Sequence, residues 1–265
     1  MSSIQSRYYA PMKPAAIPAL PPAERPVPFA SLTLPRQPRV AVMAPHPDDF
    51  DAIAVTLWHL RERGAEIRLA VLTTGASGVE NGYAGATDDA AKGELREREQ
   101  RASCKLFGLA PDAVEFLRLP EDDAGLIVDE AAIAAAGAWL SPQEPDLVFL
   151  PHGNDSNVTH QRTYALFRAV AARDALSTCA LLNRDAKTLG MRDDVVTAFD
   201  ADAANWKARL LRLHASQHQR NLNTRGHGFD ERVLTVNRAT AKSLGVSDEY
   251  AEAFEVEIVR DGQAG

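Results

Sequence analysis

The stretch Arg39–Asp51 reads R-V-A-V-M-A-P-H-P-D-D-F-D and joins an apolar run to a polar turn. Its first part, Val40–Ala44, consists of consecutive apolar residues, which is the pattern of a strand buried on both faces. The run ends at Pro45-His46-Pro47-Asp48-Asp49, and a helical pattern follows. Because ligands bind at the carboxyl ends of the strands in an open α/β sheet, we expect one imidazole and two carboxylates at a binding edge.

Two interpretations of this turn are open. Histidine and aspartate are zinc ligands, so His46 and one aspartate predict a catalytic metal site in which the other aspartate transfers a proton. Alternatively, the aspartates only cap the helix that follows. The choice depends on whether the rest of the chain supplies a matching ligand.

Strand and helix patterns alternate from residue 39 to residue 172. Apolar runs predict strands at 40–44, 66–74, 114–119 and 146–150, and helical spacing predicts helices at 51–63, 94–107, 129–140 and 159–172. This alternation predicts an α/β fold with a parallel sheet and helices on both faces. The charges of the second helix are expected to form a solvated face. The glycine-containing loop before it is either a substrate lid or a surface loop.

The last third of the chain is less regular. We expect strands at 177–182 and 195–199, a helix at 203–218 and a polar loop at 221–230. The segment 248–258 predicts a short helical turn and an edge strand. Since no linker divides this region, residues 39–265 are expected to form a single domain.

Residues 1–38 differ in composition from this domain. They contain nine of the sixteen prolines, namely Pro11, Pro14, Pro18, Pro21, Pro22, Pro26, Pro28, Pro35 and Pro38. Proline disfavours helices and central strands, so we expect an extended arm without chemistry of its own. Such an arm is either disordered or lies along the body or a neighbouring subunit.

Composition narrows the classes of partner. The 265 residues carry a net charge of −7, which disfavours a general nucleic-acid binder and leaves a small-molecule partner. The two cysteines, Cys104 and Cys179, form no C-x-x-C motif, so a reducing, cytoplasmic setting is expected. No apolar run reaches the ~18 residues of a membrane span. The oligomeric state is left open, a homo-oligomer included.

A second polar cluster follows the predicted strand 146–150. The stretch Pro151–Arg162 reads P-H-G-N-D-S-N-V-T-H-Q-R, and His160 lies at the start of the next helix. The carboxyl ends of parallel strands share an edge, so His160 can meet His46 and Asp49 there. Two histidines and one carboxylate with an open position are typical of a hydrolytic zinc site, in which a further carboxylate accepts a proton.

Together, the two motifs resemble those of the LmbE-like, or GlcNAc-PI de-N-acetylase, superfamily. The resemblance covers about residues 39–260 and implies a Rossmann-like three-layer sandwich with a mostly parallel sheet. It implies a zinc-dependent N-deacetylase acting on N-acetylglucosamine-type conjugates, with Zn²⁺ held by His46, Asp49 and His160. It also implies that Asp48 is the general base.

This sequence departs from the family pattern in three places. Phe50 stands where the family usually has Glu, Asn157 replaces an inner His, and Thr159 replaces an inner Asp. The Asn157 amide can donate to an oxyanion, and loss of one such donor costs about 10²–10³ in rate. The alternatives for the lost histidine are His214 and His152, each of which can instead be a structural histidine.

Two later segments extend the resemblance. Arg96-x-x-Glu99 resembles a helix of the family, and His214-x-Ser216-Gln217 resembles a late segment of it. Arg96 and Asp122 are candidates for holding a sugar, with a surface ion pair as the alternative for each.

The rival functions are a non-catalytic carbohydrate-binding descendant and a zinc amidase for a non-sugar N-acyl metabolite. A nucleotide-binding module is disfavoured because no strand leads into a G-x-G-x-x-G fingerprint.

Overall fold

A nine-stranded sheet forms the centre of the computed structural model, which describes residues 24–264. In chain order the strands are β1 Val27–Pro28, β2 Arg39–Ala44, β3 Glu66–Val71, β4 Val114–Phe116, β5 Glu121–Asp122, β6 Gly125–Leu126, β7 Leu147–Pro151, β8 Thr178–Asn183, β9 Val195–Phe199, β10 Tyr250–Arg260 and β11 Gln263–Ala264. The sheet order is β1-β9-β10-β8-β7-β2-β3-β4, with β11 paired to β10, while β5 and β6 form a separate ribbon.

Helices cover both faces of this sheet. They are α1 Asp49–Ala52, α2 Ala54–Glu62, α3 Asp89–Phe107, α4 Glu130–Leu140, α5 Val158–Asp174, α6 Ala201–Arg212, α7 Ala215–Arg225 and α8 Phe229–Leu244. Strands β4, β3, β2, β7 and β8 run parallel. These features confirm the predicted α/β sandwich with a mostly parallel sheet.

Strand β2 is buried on both faces, as its apolar run predicts. Val42 packs into one core cluster with Leu57 of α2 and Phe107 of α3. Its neighbour Met43 points to the opposite face, in a cluster with Phe167 of α5. This alternation follows from the two-residue period of a strand and gives the three layers of the fold.

The C-terminal third differs from the sequence-based expectation. β10 lies inside the sheet, antiparallel to both β8 and β9, so the predicted edge strand is wrong. The expected helix at 203–218 is broken into α6 and α7, and the expected loop at 221–230 contains the end of α7 and the start of α8. The partners of β10 are distant in the sequence, so no local pattern predicts its place in the sheet. The polar residues of α7 are held by tertiary contacts rather than by an apolar face, so the sequence did not predict this helix as a separate element.

The segment 24–38 lies against the domain. β1 pairs with β9 in parallel, and Phe29 and Leu32 are buried in the same core cluster as Val42. The rest of the expected arm, residues 1–23, lies outside the described residues. Within the described part of the chain, no helix is both long enough and apolar enough to cross a bilayer.

Candidate active site

Three expected metal ligands meet at the carboxyl edge of the sheet. His46 follows β2, Asp49 begins α1, and His160 lies in the first turn of α5 after β7. One ligand atom of each lies within 4.8 Å of those of the others. His46 Nδ1 is 3.2 Å from Asp49 Oδ2, and His160 Nε2 is 3.7 Å from Asp49 Oδ1.

Neighbouring groups orient these ligands. The backbone N–H of His46 donates to Asp49 Oδ2 at 2.9 Å. His160 Nδ1 lies 3.2 Å from Oδ2 of the fully buried Asp155, which directs Nε2 towards Asp49. A carboxylate behind a histidine in this way fixes the ring orientation and tautomer of a metal ligand. Asp155 lies five positions before His160 in the second motif, but the sequence alone predicts no role for it.

Neighbouring charges shift the pKa of two members of the cluster, Asp49 and His160. Burial alone would raise the pKa of Asp49, but His160 and His46 outweigh it and hold that pKa below its ordinary value. Burial alone would lower the pKa of His160, but the carboxylates of Asp49, Asp155 and Asp185 raise it. The opposite charges of these side chains therefore stabilise one another.

Asp48, the expected general base, has an unusual backbone conformation. Its φ of 118° is in the left-handed region, which costs free energy in a non-glycine residue. Its N–H donates to Gln100 Oε1 at 2.8 Å, and its Oδ2 accepts from Arg96 Nη2 at 2.8 Å. Burial raises the pKa of the Asp48 carboxyl above its ordinary value, against the opposing charge of Arg96.

Arg96 lines the pocket but is engaged by the protein. Only 2% of its side chain is exposed, and its guanidinium also donates to Pro47 O and, at 3.2 Å, to Gly75 O. A Cβ at Gly78 would lie 2.6 Å from Arg96 Nη1, so glycine is needed for this close approach. These contacts place Arg96 behind Asp48 and disfavour the expectation that it holds a sugar.

Asn157 and Thr159, the two substituted positions of the second motif, have different surroundings. Asn157 lines the pocket, and its Oδ1 caps α5 by accepting from Thr159 N at 3.0 Å. Within residues 24–264 its Nδ2 amide makes no hydrogen bond, so this donor is available to a ligand. Thr159 is buried, and its Oγ1 accepts from Leu126 N at 3.4 Å.

His214, the other candidate for the lost histidine, is fully buried and does not line the pocket. Its Nε2 lies 2.6 Å from Asp51 Oδ2, a contact at the break between α6 and α7. Two hydrogen bonds of 2.7 Å join Ser216 to Glu99, so the two later segments that extend the resemblance contact each other. His214 therefore contacts the first motif through Asp51, a carboxylate for which the sequence alone predicts no role.

The remaining two candidates lie away from the pocket. Asp122 is half exposed and pairs with Arg162 at 2.8 Å, as the ion-pair alternative expects. His152 Nε2 lies 3.3 Å from Glu255 Oε2. Neither residue is among those that line the pocket.

A pocket of about 250 Å³ opens above the ligand cluster. Its floor contains His46, Asp48, Asp49 and His160, and Gly75, Ser77 and Gly78 of the glycine-containing loop form one side. The rest of the lining comes from the segment after β8 and from α7 and α8, and Gln217 of α7 donates to Gly78 O at 2.9 Å. The sequence does not predict this part of the lining, which includes residues of 221–230, where a polar loop is expected.

The donor set fits a divalent transition metal. Two imidazoles and one carboxylate converge on one place. The Nδ1 atom of His160 lies beside the buried carboxylate of Asp155, and the pocket leaves room for a further ligand. This composition suits zinc among the common biological metals.

The chain resembles known proteins in both sequence and structure. Residues 41–171 match the model of the GlcNAc-PI de-N-acetylase family, PIG-L. No curated protein matches the chain. The matched range contains both motifs of the ligand cluster.

Solved structures share the fold over most of the chain. N,N'-diacetylchitobiose deacetylase from Pyrococcus horikoshii matches with a TM-score of 0.69 at 19% identity, over 89% of this chain and 86% of that chain. The zinc-inhibited form of teicoplanin deacetylase Orf2 matches with a TM-score of 0.62 at 14% identity, over 84% and 98%. GalB, the 4-carboxy-2-hydroxymuconate hydratase from Pseudomonas putida KT2440, matches with a TM-score of 0.62 at 18% identity, over 83% and 96%.

At these identities the structural likeness establishes the fold. Deacetylases and a hydratase both carry this fold, so the reaction has to be argued from the side chains of the site.

Proposed function

The chain belongs to the PIG-L family through its domain over residues 41–171, and from that membership we propose that it is a zinc-dependent N-deacetylase. Its substrate class would be N-acetylglucosamine-type or related amino-sugar conjugates. The reaction would be hydrolysis of the amide bond to give acetate and a free amine.

One observation carries this proposal. His46, Asp49 and His160 place ligand atoms within 4.8 Å of one another, and the carboxylate of Asp48 lines the same pocket. A metal site beside a proton-transferring carboxylate is what amide hydrolysis needs. A bound zinc would supply Lewis acidity and lower the pKa of water towards neutrality.

The proton transfers belong to Asp48. Arg96 holds its Oδ2, while Oδ1 makes no hydrogen bond within the described part of the chain. We assign Oδ1 the proton that water loses as its oxygen attacks the acyl carbon. The same oxygen then returns the proton to the leaving nitrogen as the C–N bond breaks, so the carboxylate is regenerated.

Asn157 and Arg96 complete the assignment. The Nδ2 amide of Asn157 would donate to the acyl oxygen as negative charge develops there, in place of the family histidine. Arg96 would keep Asp48 oriented rather than touch the substrate, because its guanidinium is already bound by the motif. His214 would act through Asp51 as a positioning residue.

The test is amine release from N-acetylglucosamine conjugates by the zinc-loaded protein. We expect turnover that stops after chelation and returns when zinc is added. A zinc-loaded protein that binds these conjugates without releasing amine would instead support the non-catalytic carbohydrate-binding function.

A second candidate is a zinc amidase for a non-sugar N-acyl metabolite. It is favoured by an apolar strip on α8, where Phe229, Val233 and Val236 line the pocket. A panel of N-acyl substrates with and without the sugar ring separates the two functions by their kcat/KM values.

A further inference from the structure

Four cationic side chains line the wall of the pocket without a carboxylate partner. Lys187 follows β8, Arg220 and Arg225 lie on α7, and Arg232 lies on α8. None of the four forms an ion pair within residues 24–264. The whole chain has a net charge of −7, so this local excess of positive charge runs against the overall balance.

The other charged groups of the pocket are already matched. Arg96 pairs with Asp48 at 2.8 Å, and Arg184 pairs with Asp193 at 2.6 Å. Asp49 belongs to the ligand cluster.

Asp185 is the remaining carboxylate of the lining. It accepts from the backbone N–H of Lys187 at 2.7 Å and lies 4.0 Å from His160 Nδ1. It is therefore turned towards the ligand cluster, and the four cations keep a net positive charge on the wall.

Helical spacing brings the arginines to the pocket. On α7 the lining residues are Gln217, Arg220, Asn221, Thr224 and Arg225, and on α8 they include Phe229, Arg232, Val233 and Val236. Both sets follow the three-to-four-residue period of a single helix face. The cations therefore line the same pocket as the ligand cluster.

We propose that the substrate carries an anionic group, phosphate or carboxylate, which Lys187, Arg220, Arg225 and Arg232 bind while the amide lies at the ligand cluster. This inference rests on the proposed deacetylase function and specifies its substrate. Guanidinium groups bind the oxygens of phosphate and carboxylate in pairs, and each charge-assisted hydrogen bond is stronger than a neutral one.

The kinetic test compares three amides that differ in charge. The substrates are N-acetylglucosamine 1-phosphate, the carboxymethyl glycoside of N-acetylglucosamine, and its neutral methyl glycoside. We expect kcat/KM for at least one anionic substrate to exceed that for the methyl glycoside by ~10-fold or more. This preference should decrease as salt is added, because salt screens the attraction. The relative rates of the two anions show whether phosphate or carboxylate is preferred.

Variants locate the effect. Arg220→Gln and Arg225→Gln should each reduce the ratio of anionic to neutral kcat/KM, and the double variant should reduce it further. Arg209→Gln is the matched control, because Arg209 is exposed on α6 outside the pocket. An unchanged ratio in the double variant, or an equal loss in Arg209→Gln, would overturn the assignment.

Binding provides a readout without catalysis. Calorimetry of glucosamine 1-phosphate, the carboxymethyl glycoside of glucosamine and methyl glucosaminide, none of which has an amide to hydrolyse, should show tighter binding of at least one anion than of the neutral sugar, weakened in the double variant. If no amide is hydrolysed, the deacetylase proposal fails, and this titration alone decides on the anion site. Hydrolysis with equal kcat/KM for all three amides would overturn the anion site and leave the deacetylase standing.

Discussion

The two oxygens of Asp48 have different surroundings. Oδ2 is held by Arg96, and Oδ1 makes no hydrogen bond within the described residues. Asp48→Asn keeps the shape of the side chain and removes its ability to accept a proton. We expect turnover of an N-acetylglucosamine conjugate to decrease by about 10²–10⁴, the usual contribution of general acid–base catalysis, while zinc remains bound.

The measurement is amine release together with metal analysis after dialysis. Asp122→Asn is the control, because Asp122 lies outside the pocket in an ion pair with Arg162. Full activity in a zinc-loaded Asp48→Asn protein would refute the assigned role.

Asp155 is expected to act on the metal through His160. The fully buried carboxylate lies 3.2 Å from His160 Nδ1, so Asp155→Asn would leave the ring without a charged partner. We expect zinc affinity to fall by about 10–100-fold, less than in His160→Ala, which lacks the ligand itself. Competition with a coloured chelator measures both, and equal affinities in Asp155→Asn and the wild-type protein would contradict the prediction.

The sequence predicted the residues that converge on the site better than it predicted the residues that hold them in position. His46, Asp49 and His160 follow apolar strands, so the edge they share could be inferred. The role of Arg96 could not, because two of its partners, Pro47 O and the Asp48 carboxylate, lie 49 and 48 positions earlier in the chain. Likewise, Glu99 and Gln100 are buried on α3 and bind distant groups, so the expected solvated face is only part of that helix.

At the level of elements, local patterns located the parallel strands but not β10. Its pairing with β8 and β9 depends on residues fifty or more positions away, which no local period reports. Helix α3 begins at Asp89 rather than Glu94, because Asp88 caps it by accepting from Ala91 N. Gly93 lies inside this helix, where a Cβ would be 3.1 Å from Thr74. The glycine therefore allows the helix to pack closely against Thr74 and does not mark a loop.

A buried ion pair joins five elements beneath the pocket, namely α1, α2, α6, α8 and β10. Lys207 Nζ on α6 donates to Glu252 Oε1 on β10 at 2.7 Å, to Ala52 O at 2.6 Å and to Asn237 Oδ1 on α8 at 2.9 Å. Glu252 also accepts from the N–H of Thr56 in the first turn of α2 at 2.8 Å. Lys207→Met would leave a buried carboxylate without its cation.

We expect Lys207→Met to lower the free energy of unfolding by about 3–5 kcal/mol. Denaturant unfolding measures this loss. Arg68→Met is the control, because Arg68 forms an exposed pair with Glu66 that is worth at most about 1 kcal/mol. Similar losses in the two variants would show that the buried pair does not hold these elements together.

At the scale of the whole molecule, the pocket combines two regions of the chain. The ligand cluster lies within residues 41–171, the range that matches the family. The cationic and apolar wall comes from residues 184–237, beyond that range. Family membership therefore supports the proposed reaction, while the choice of substrate depends on a wall that the family match does not cover.

The boundary of the domain can be tested at Phe29. The sequence predicts residues 1–38 outside the domain, yet Phe29 is 1% exposed and packs in the main core cluster. We expect Phe29→Ala to cost about 3–5 kcal/mol, the usual loss for removing a buried aromatic ring. Leu189→Ala is the control, since Leu189 is 70% exposed. Denaturant unfolding compares the two. If Phe29→Ala is as stable as the control, residues before 39 add little to the fold; the expected loss would make this segment part of the domain.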